Sequence, residues 1–277
     1  MQARRLLTFG LILALIPLLA HCTLANVQTR EDSFKVGESP RVEADVEISR
    51  LTIRSGDLGQ VRVQATLRYA RQTNYQVTQS GDAIKIYVRM QAGFSSKLDQ
   101  PAVEIIVTVP QKTDLDLRSS TGYLYVDEVS GHIALATSTG GIQLSDCEGS
   151  IELQNQTGSI ACRRARGAFH ILNGTGGVDL SAVNGTFEVQ TDVGSINFEG
   201  ELASGEQHCF ESNTGPIDLH ILGRPDLRVD ASSQTGSVRC SLEMTEQVST
   251  KRECKGILGT GAGQLQVRTS TGSITIH

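Results

Sequence analysis

Tryptophan is absent from this 277-residue chain, and the aromatic residues together make up only 4% of it. An extended aromatic platform for stacking sugars is therefore missing, and Tyr123 and Tyr125 stand alone toward one end of the repeats described below. Basic charge is short as well: 30 acidic residues face 25 basic ones, for a net charge of −5. That balance argues against a nucleic-acid partner, because phosphate backbones are held by clustered Lys and Arg. The one basic cluster, Arg163, Arg164 and Arg166, falls at a single point of the repeat and reads as a solvated corner. No CxxC spacing, HExxH, G-x-S-x-G or phosphate loop occurs, so no metal and no cofactor is expected. The histidines fall at different phases of the repeat and are expected at the surface; His220 and His277 share a phase but lie more than one unit apart in sequence.

Glycine, by contrast, is plentiful, and it is periodic. Gly122, Gly140, Gly158, Gly176 and Gly194 follow one another every 18 residues, mostly as Thr-Gly, and Gly215, Gly236 and Gly272 continue the series with two insertions. Self-similarity at so short a period is the mark of a solenoid. Two and four residues after each marker the chain is apolar, as in Leu124 and Val126, Ile142 and Leu144, or Ile196 and Phe198. A second apolar pair precedes the marker, as in Ile133 and Leu135, and a third inward position follows at Val129, Cys147, Ala165 and Val183. Alternation with period two is strand, and three inward faces per 18 residues make a roughly triangular coil. The expected fold is an all-β parallel β-helix, a β-solenoid of about eight such coils, roughly 40 Å long at the ~4.8 Å strand spacing.

Corners are expected at the marker glycines and at Gly131, Gly149, Gly167 and Gly185, since glycine reaches positive φ without a Cβ clash. Thr121, Thr139, Thr157 and Thr175 then lie above one another, positioned to hydrogen-bond as a ladder. Residues 41–110 alternate less regularly and read as an N-terminal β region leading into repeats at 111–277. The longest insertion, about 241–263, carries Leu242, Met244 and Val248. The last unit breaks off in mid-strand at His277, which predicts an open sheet edge. The insertion is expected either to fold back over it as a lid, tied by a possible disulfide between Cys240 and Cys254, or to remain a surface excursion with unpaired thiols.

Arg4 and Arg5 followed by the apolar run Leu6–Ala20 form a signal peptide, residues 1–21, too short for a comfortable membrane span. Leu19-Ala20-His21-Cys22 resembles a bacterial lipoprotein signal, in which cleavage precedes a cysteine that takes the lipid; His21 departs from the small residue usual there. The rivals are simple secretion by cleavage after Ala25, which removes Cys22, and retention of the segment as an anchor. Lipidation implies a membrane partner through the N-terminus, and Thr23 implies outer-membrane sorting, with the polar stretch 22–40 as a tether. Losing Arg4 and Arg5 takes the net charge to about −7. Six cysteines less Cys22 leave five, so at least one thiol stays free or pairs between chains.

The lead-in Val107-Thr108-Val109-Pro110, then Leu115-Asp116-Leu117 and the repeated Thr-Gly-Ser-Ile units, resemble the bacterial candidate-adhesin family of unknown function, related to the autotransporter adhesin head GIN domain. The resemblance covers roughly residues 41–277. It implies a right-handed parallel β-helix on an exported envelope protein, and brings no catalytic residue with it. The function expected is non-enzymatic scaffolding or adhesion, with a protein or polysaccharide surface partner. The alternative is a carbohydrate-active β-helix hydrolase or lyase. Asp179 and Asp218, both three residues after their glycines, with Glu199 nearby, are its candidate outward carboxylates.

Overall fold

The computed structural model describes residues 27–56, 59–91 and 102–277. The signal segment and Cys22 lie outside the described residues. Strands make a solenoid whose coils stack in parallel with a constant 18-residue register through the middle of the chain. Ile133 pairs with Ile151 and Ile151 with Phe169 along one face. Ile142 pairs with Ile160 and Ile160 with Val178 along the next. All the apolar positions named above in these coils are buried. Burying each Val, Leu or Ile is worth about 1.5–3 kcal/mol relative to exposure, so the period-two pattern has a direct energetic cause. Four phenylalanines meet in the interior: Phe169 stacks on Phe187 at 4.7 Å, and Phe198 packs edge-on to Phe187 and Phe210 at 4.9 and 5.2 Å.

The expected glycine corners are present. At Gly158, φ is +136° and a Cβ would sit 1.5 Å from the carbonyl oxygen of Gly140, so the column tolerates no side chain where coil stacks on coil. A third corner carries no glycine. Glu128, Asp146, Arg164 and Ala182, again 18 residues apart, take left-handed φ values of 56°, 54°, 49° and 53°. Residues other than glycine visit this region only sparingly, which hid the corner in the sequence. The threonine column is in register, Thr139 between Thr121 and Thr157, but it faces solvent. The polar ladder runs two residues earlier and inside, where Asn155 donates to Gly140 O at 3.2 Å, Asn173 to Gly176 O at 2.7 Å and Ser212 to Gly194 O at 3.1 Å.

At both ends the coils stack out of chain order. The coil formed by 41–55 lies between the strand Asp114–Asp127 and the later strands Ala83–Met90 and Val103–Val109. Strands 41–55, 83–90 and 103–109 thus supply two further coils of the same solenoid. Antiparallel strands finish this end: Thr73–Ser80 on Ala83–Met90, and Gln60–Leu67 on Val103–Val109. The tether expected over 22–40 is corrected from residue 28 onward, because Gln28–Lys35 pairs antiparallel with Gln60–Leu67 and is part of the sheet.

The other end mirrors this. Gly263–Thr271 lies between Gln207–Thr214 and Leu227–Thr235, and Ile274–Ile276 between Ile217–Leu222 and Val238–Cys240. The coil ending at His277 is therefore an interior rung, and the open edge expected there does not exist. The outermost coil is 227–240. The insertion covers that coil as a hairpin, Glu253–Leu258 pairing antiparallel with Leu227–Thr235 and Thr245–Ser249 with Glu253–Leu258. The structure joins Cys240 to Cys254 by a disulfide, Cα atoms 6.5 Å apart.

Candidate binding faces

A groove of about 820 Å³ runs across successive coils beside the threonine column. Each coil contributes its outward residues just before the corner, so rung spacing dictates the chemistry: Ser120 and Ser138, then Gln154 and Gln156, then Gln190 and Asp192, with Ala136 and Leu172 in the floor. Asp45 and Arg118 close one end, and Asp45 is ion-paired to Arg89. At the other end Asn213 donates to Asp192 at 3.0 Å. Between Asp45 and Arg118 at one end and Asp192 at the other, the groove offers amides and hydroxyls repeated from coil to coil. Sequence reasoning missed it; the repeated Ser/Thr/Gln phase just before each Thr-Gly was the available signal.

The carboxylates of the alternative reading lie on the adjacent face, beyond the corner. Asp179, Asn197 and Asp218 are directly in register on successive coils, and Glu199 pairs with Ser181 and His220. Asp179 accepts from Asn197 Nδ2 at 2.6 Å, while Asp218 Oδ1 stands 3.6 Å from His277 Nδ1. Two rungs separate the two aspartates, roughly 10 Å of backbone, and none of the three carboxylates lines the groove. Because 274–276 stacks directly on 217–222, His220 and His277 are neighbours, with ring centroids 4.8 Å apart despite their sequence separation. Among the described residues no cluster of three or more His, Cys, Asp or Glu is placed to hold a metal.

Among the described residues, the three cysteines outside the disulfide all have thiols harder to ionise than usual. Burial pushes the Cys147 thiol up to about 11, and Cys209 up to about 12 with help from Glu211. The fully buried Cys162 rises further for the same reason. In the basic cluster Arg164 is bound to Asp146 through two hydrogen bonds of 2.8 and 2.6 Å, which holds that carboxyl below its usual range. His208 departs from the surface expectation: it is buried, and its Nε2 lies 2.9 Å from the Ala203 carbonyl oxygen.

The family model described as Toastrack DUF4097 matches residues 41–277. Solved structures resemble the chain at low identity. A candidate adhesin from Parabacteroides merdae has a TM-score of 0.43 at 9% identity, covering 89% of this chain and 95% of that one. A candidate adhesin from Bacteroides fragilis has 0.32 at 9%, covering 90% and 97%. A candidate cell adhesion protein from Clostridium sporogenes has 0.29 at 10%, covering 90% and 99%. No curated protein matches.

Proposed function

The chain belongs to the Toastrack DUF4097 family, and from that premise we propose that it is a non-enzymatic scaffold or adhesin of the cell envelope. In this reading the export signal delivers it, a lipid on Cys22 holds it at the outer membrane, and the rigid solenoid presents a long polar face to a protein or polysaccharide. The observation that carries the proposal is the groove: hydroxyl and amide side chains repeated across the coils between Arg118 and Asp192. Such a surface grips an extended polymer by many weak contacts, and a stacked solenoid keeps them in fixed register. The acidic balance of the chain speaks against nucleic acid.

The test compares attachment of cells that carry the chain, lack it, or carry a Ser138→Lys/Gln156→Lys double variant. Loss of attachment in the deletion and in the variant, with the variant's melting temperature unchanged, supports the reading. Attachment that survives deletion overturns it. Mass spectrometry of membrane-extracted protein checks the anchor: the expected mature chain begins at a lipidated Cys22, and an unmodified terminus at Asn26 rejects it.

A further inference from the structure

We infer that Tyr123 and Tyr125 form a stacking site for a neutral saccharide, on the face beyond the corner from the groove. This deepens the proposed function by naming a ligand class, and rests on it only for the biological setting.

Tyr123 is the most solvent-open aromatic residue among the described ones, at 50% exposure; Tyr87, the next, is covered by the Arg89 guanidinium 4.5 Å above its ring. The Tyr123 ring lies nearly parallel to that of Tyr125, at 21° and 6.0 Å between centroids. The neighbouring coil is built to seat it. Gly141 pairs with Tyr123 across the strands, and unlike the corner glycines it does not have positive φ, so its backbone does not require glycine. What a Cβ there would meet is the Tyr123 ring itself, Cδ1 and Cε1 both at 3.1 Å. The missing side chain at Gly141 is thus explained by room for the tyrosine.

Around the rings the surface is polar: Arg50 pairs in register with Tyr123 on the side away from Gly141, and Thr52 pairs with Tyr125. Gln143 pairs with Tyr125 in register, and Ala161 pairs with Gln143. Arg50 is itself engaged by Glu104 on the next rung, at 3.8 Å. A protein hot spot needs an apolar patch that excludes water around its aromatic anchors, and that surround is missing here. A pyranose needs something different: an aromatic face for its apolar C–H face, with hydrogen-bonding groups at the rim. With the Arg50 charge met by Glu104, the site favours a neutral sugar over an acidic or phosphate-bearing polymer.

A glycan array probed with the intact chain, followed by titration of the retained soluble glycan, tests this. Tyrosine emission reports binding directly, since the chain has no tryptophan. The expected result is retention of at least one neutral glycan, weakened about tenfold or more by Tyr123→Ala and by Tyr125→Ala. Tyr123→Phe should bind nearly as the parent does. Gly141→Val should weaken binding without touching either tyrosine, by displacing the ring. Retention of no neutral glycan overturns the inference, as does unaltered affinity in the folded Tyr123→Ala/Tyr125→Ala double variant. Failure here with attachment still lost in the Ser138→Lys/Gln156→Lys cells removes the tyrosine site alone. Attachment that survives deletion while glycan binding depends on the tyrosines removes the envelope role alone.

Discussion

The middle coils and the two ends are built from the same strands but obey different stacking rules. Between about residues 114 and 200 each coil rests on the one 18 residues before it, and Gly122, Gly140 and Gly158 repeat a single corner. At the ends the neighbour in space is not the neighbour in sequence: 41–55 is enclosed by the strands 83–90 and 103–109 on one side and by 114–127 on the other, and 263–276 by 207–222 and 227–240. A parallel stack has two open edges, and open edges recruit other chains. Here each outermost coil is closed by antiparallel strands, with a further coil threaded one rung inward. Periodicity sets the register of a solenoid, and the cost of an exposed edge decides how it stops.

The largest effects should come from breaking the periodic middle. Ile160 is fully buried, so Ile160→Asp places an uncompensated carboxylate in the core and should cost several kcal/mol. Gln143→Asp, on an outward position of the adjacent coil, should cost little. Equal melting temperatures would mean that the inward phase is assigned wrongly. Next comes Gly158→Ala, where the Cβ meets Gly140 O at 1.5 Å and φ is +136°; strain and overpacking together suggest roughly 3–5 kcal/mol. Its control belongs to the capped end. Gly81, in the hairpin turn at φ +60° with open space around it, should lose only about 1–2 kcal/mol as Gly81→Ala. Denaturant midpoints for the pair decide whether coil contact, beyond φ alone, demands the glycine column.

The same contrast explains what the sequence could reveal. Alternating apolar pairs such as Ile133 and Leu135 have one physical cause, burial on one face of a strand, and they betray fold and register at once. The marker glycines are legible for a similar reason. The third corner is not, because Asp146 and Arg164 adopt left-handed φ without any compositional sign. Nor is the order of coils at the ends: strand 41–46 bears the same alternation whichever coil it rests on, and only the three-dimensional partners distinguish them. The groove was concealed because Gln154 and Ser138 look like ordinary solvated residues until the coils align them. Of the aromatic site, the tyrosines were visible, but their seat over Gly141 needed the cross-strand register.

Cleaving the Cys240–Cys254 link probes the cap itself. It closes a loop across 14 positions at the outermost coil, which the chain-entropy model values at about 3 kcal/mol. The Cys240→Ser/Cys254→Ser variant should therefore lose hydrogen-exchange protection in Leu227–Thr235 and Glu253–Leu258 while Ile151–Leu153 keeps its protection, since each coil leans chiefly on its neighbours. Uniform loss along the whole rod would show that ends and middle unfold as one unit, and the distinction drawn above would be structural only.

The smallest effect should appear where the two regions join. In the inward column Phe169–Phe187, the next residue is His208, followed by Leu265, so a titratable ring occupies a place otherwise filled by hydrocarbon. Its Nδ1 is buried without a partner. Burial lowers its pKa from the ordinary 6.5, outweighing the Ala203 carbonyl and Glu206, both of which favour the proton. A depressed histidine pKa means that the unfolded chain takes up the proton first. The stabilising contribution is present above pH 6.5 and is lost as the pH falls through the lower folded value. His208→Leu removes this titration and continues the apolar column. Near neutrality the variant should change little, a gain in apolar contact offset by the freed Ala203 carbonyl. Below pH 6.5 its stability should fall less steeply than that of the parent, and the two curves should become parallel again below the folded pKa of His208, where the ring is protonated in both states. Parallel curves throughout that window would mean that His208 already reaches solvent in the folded state, and that the seam between the periodic middle and the threaded end opens on its own.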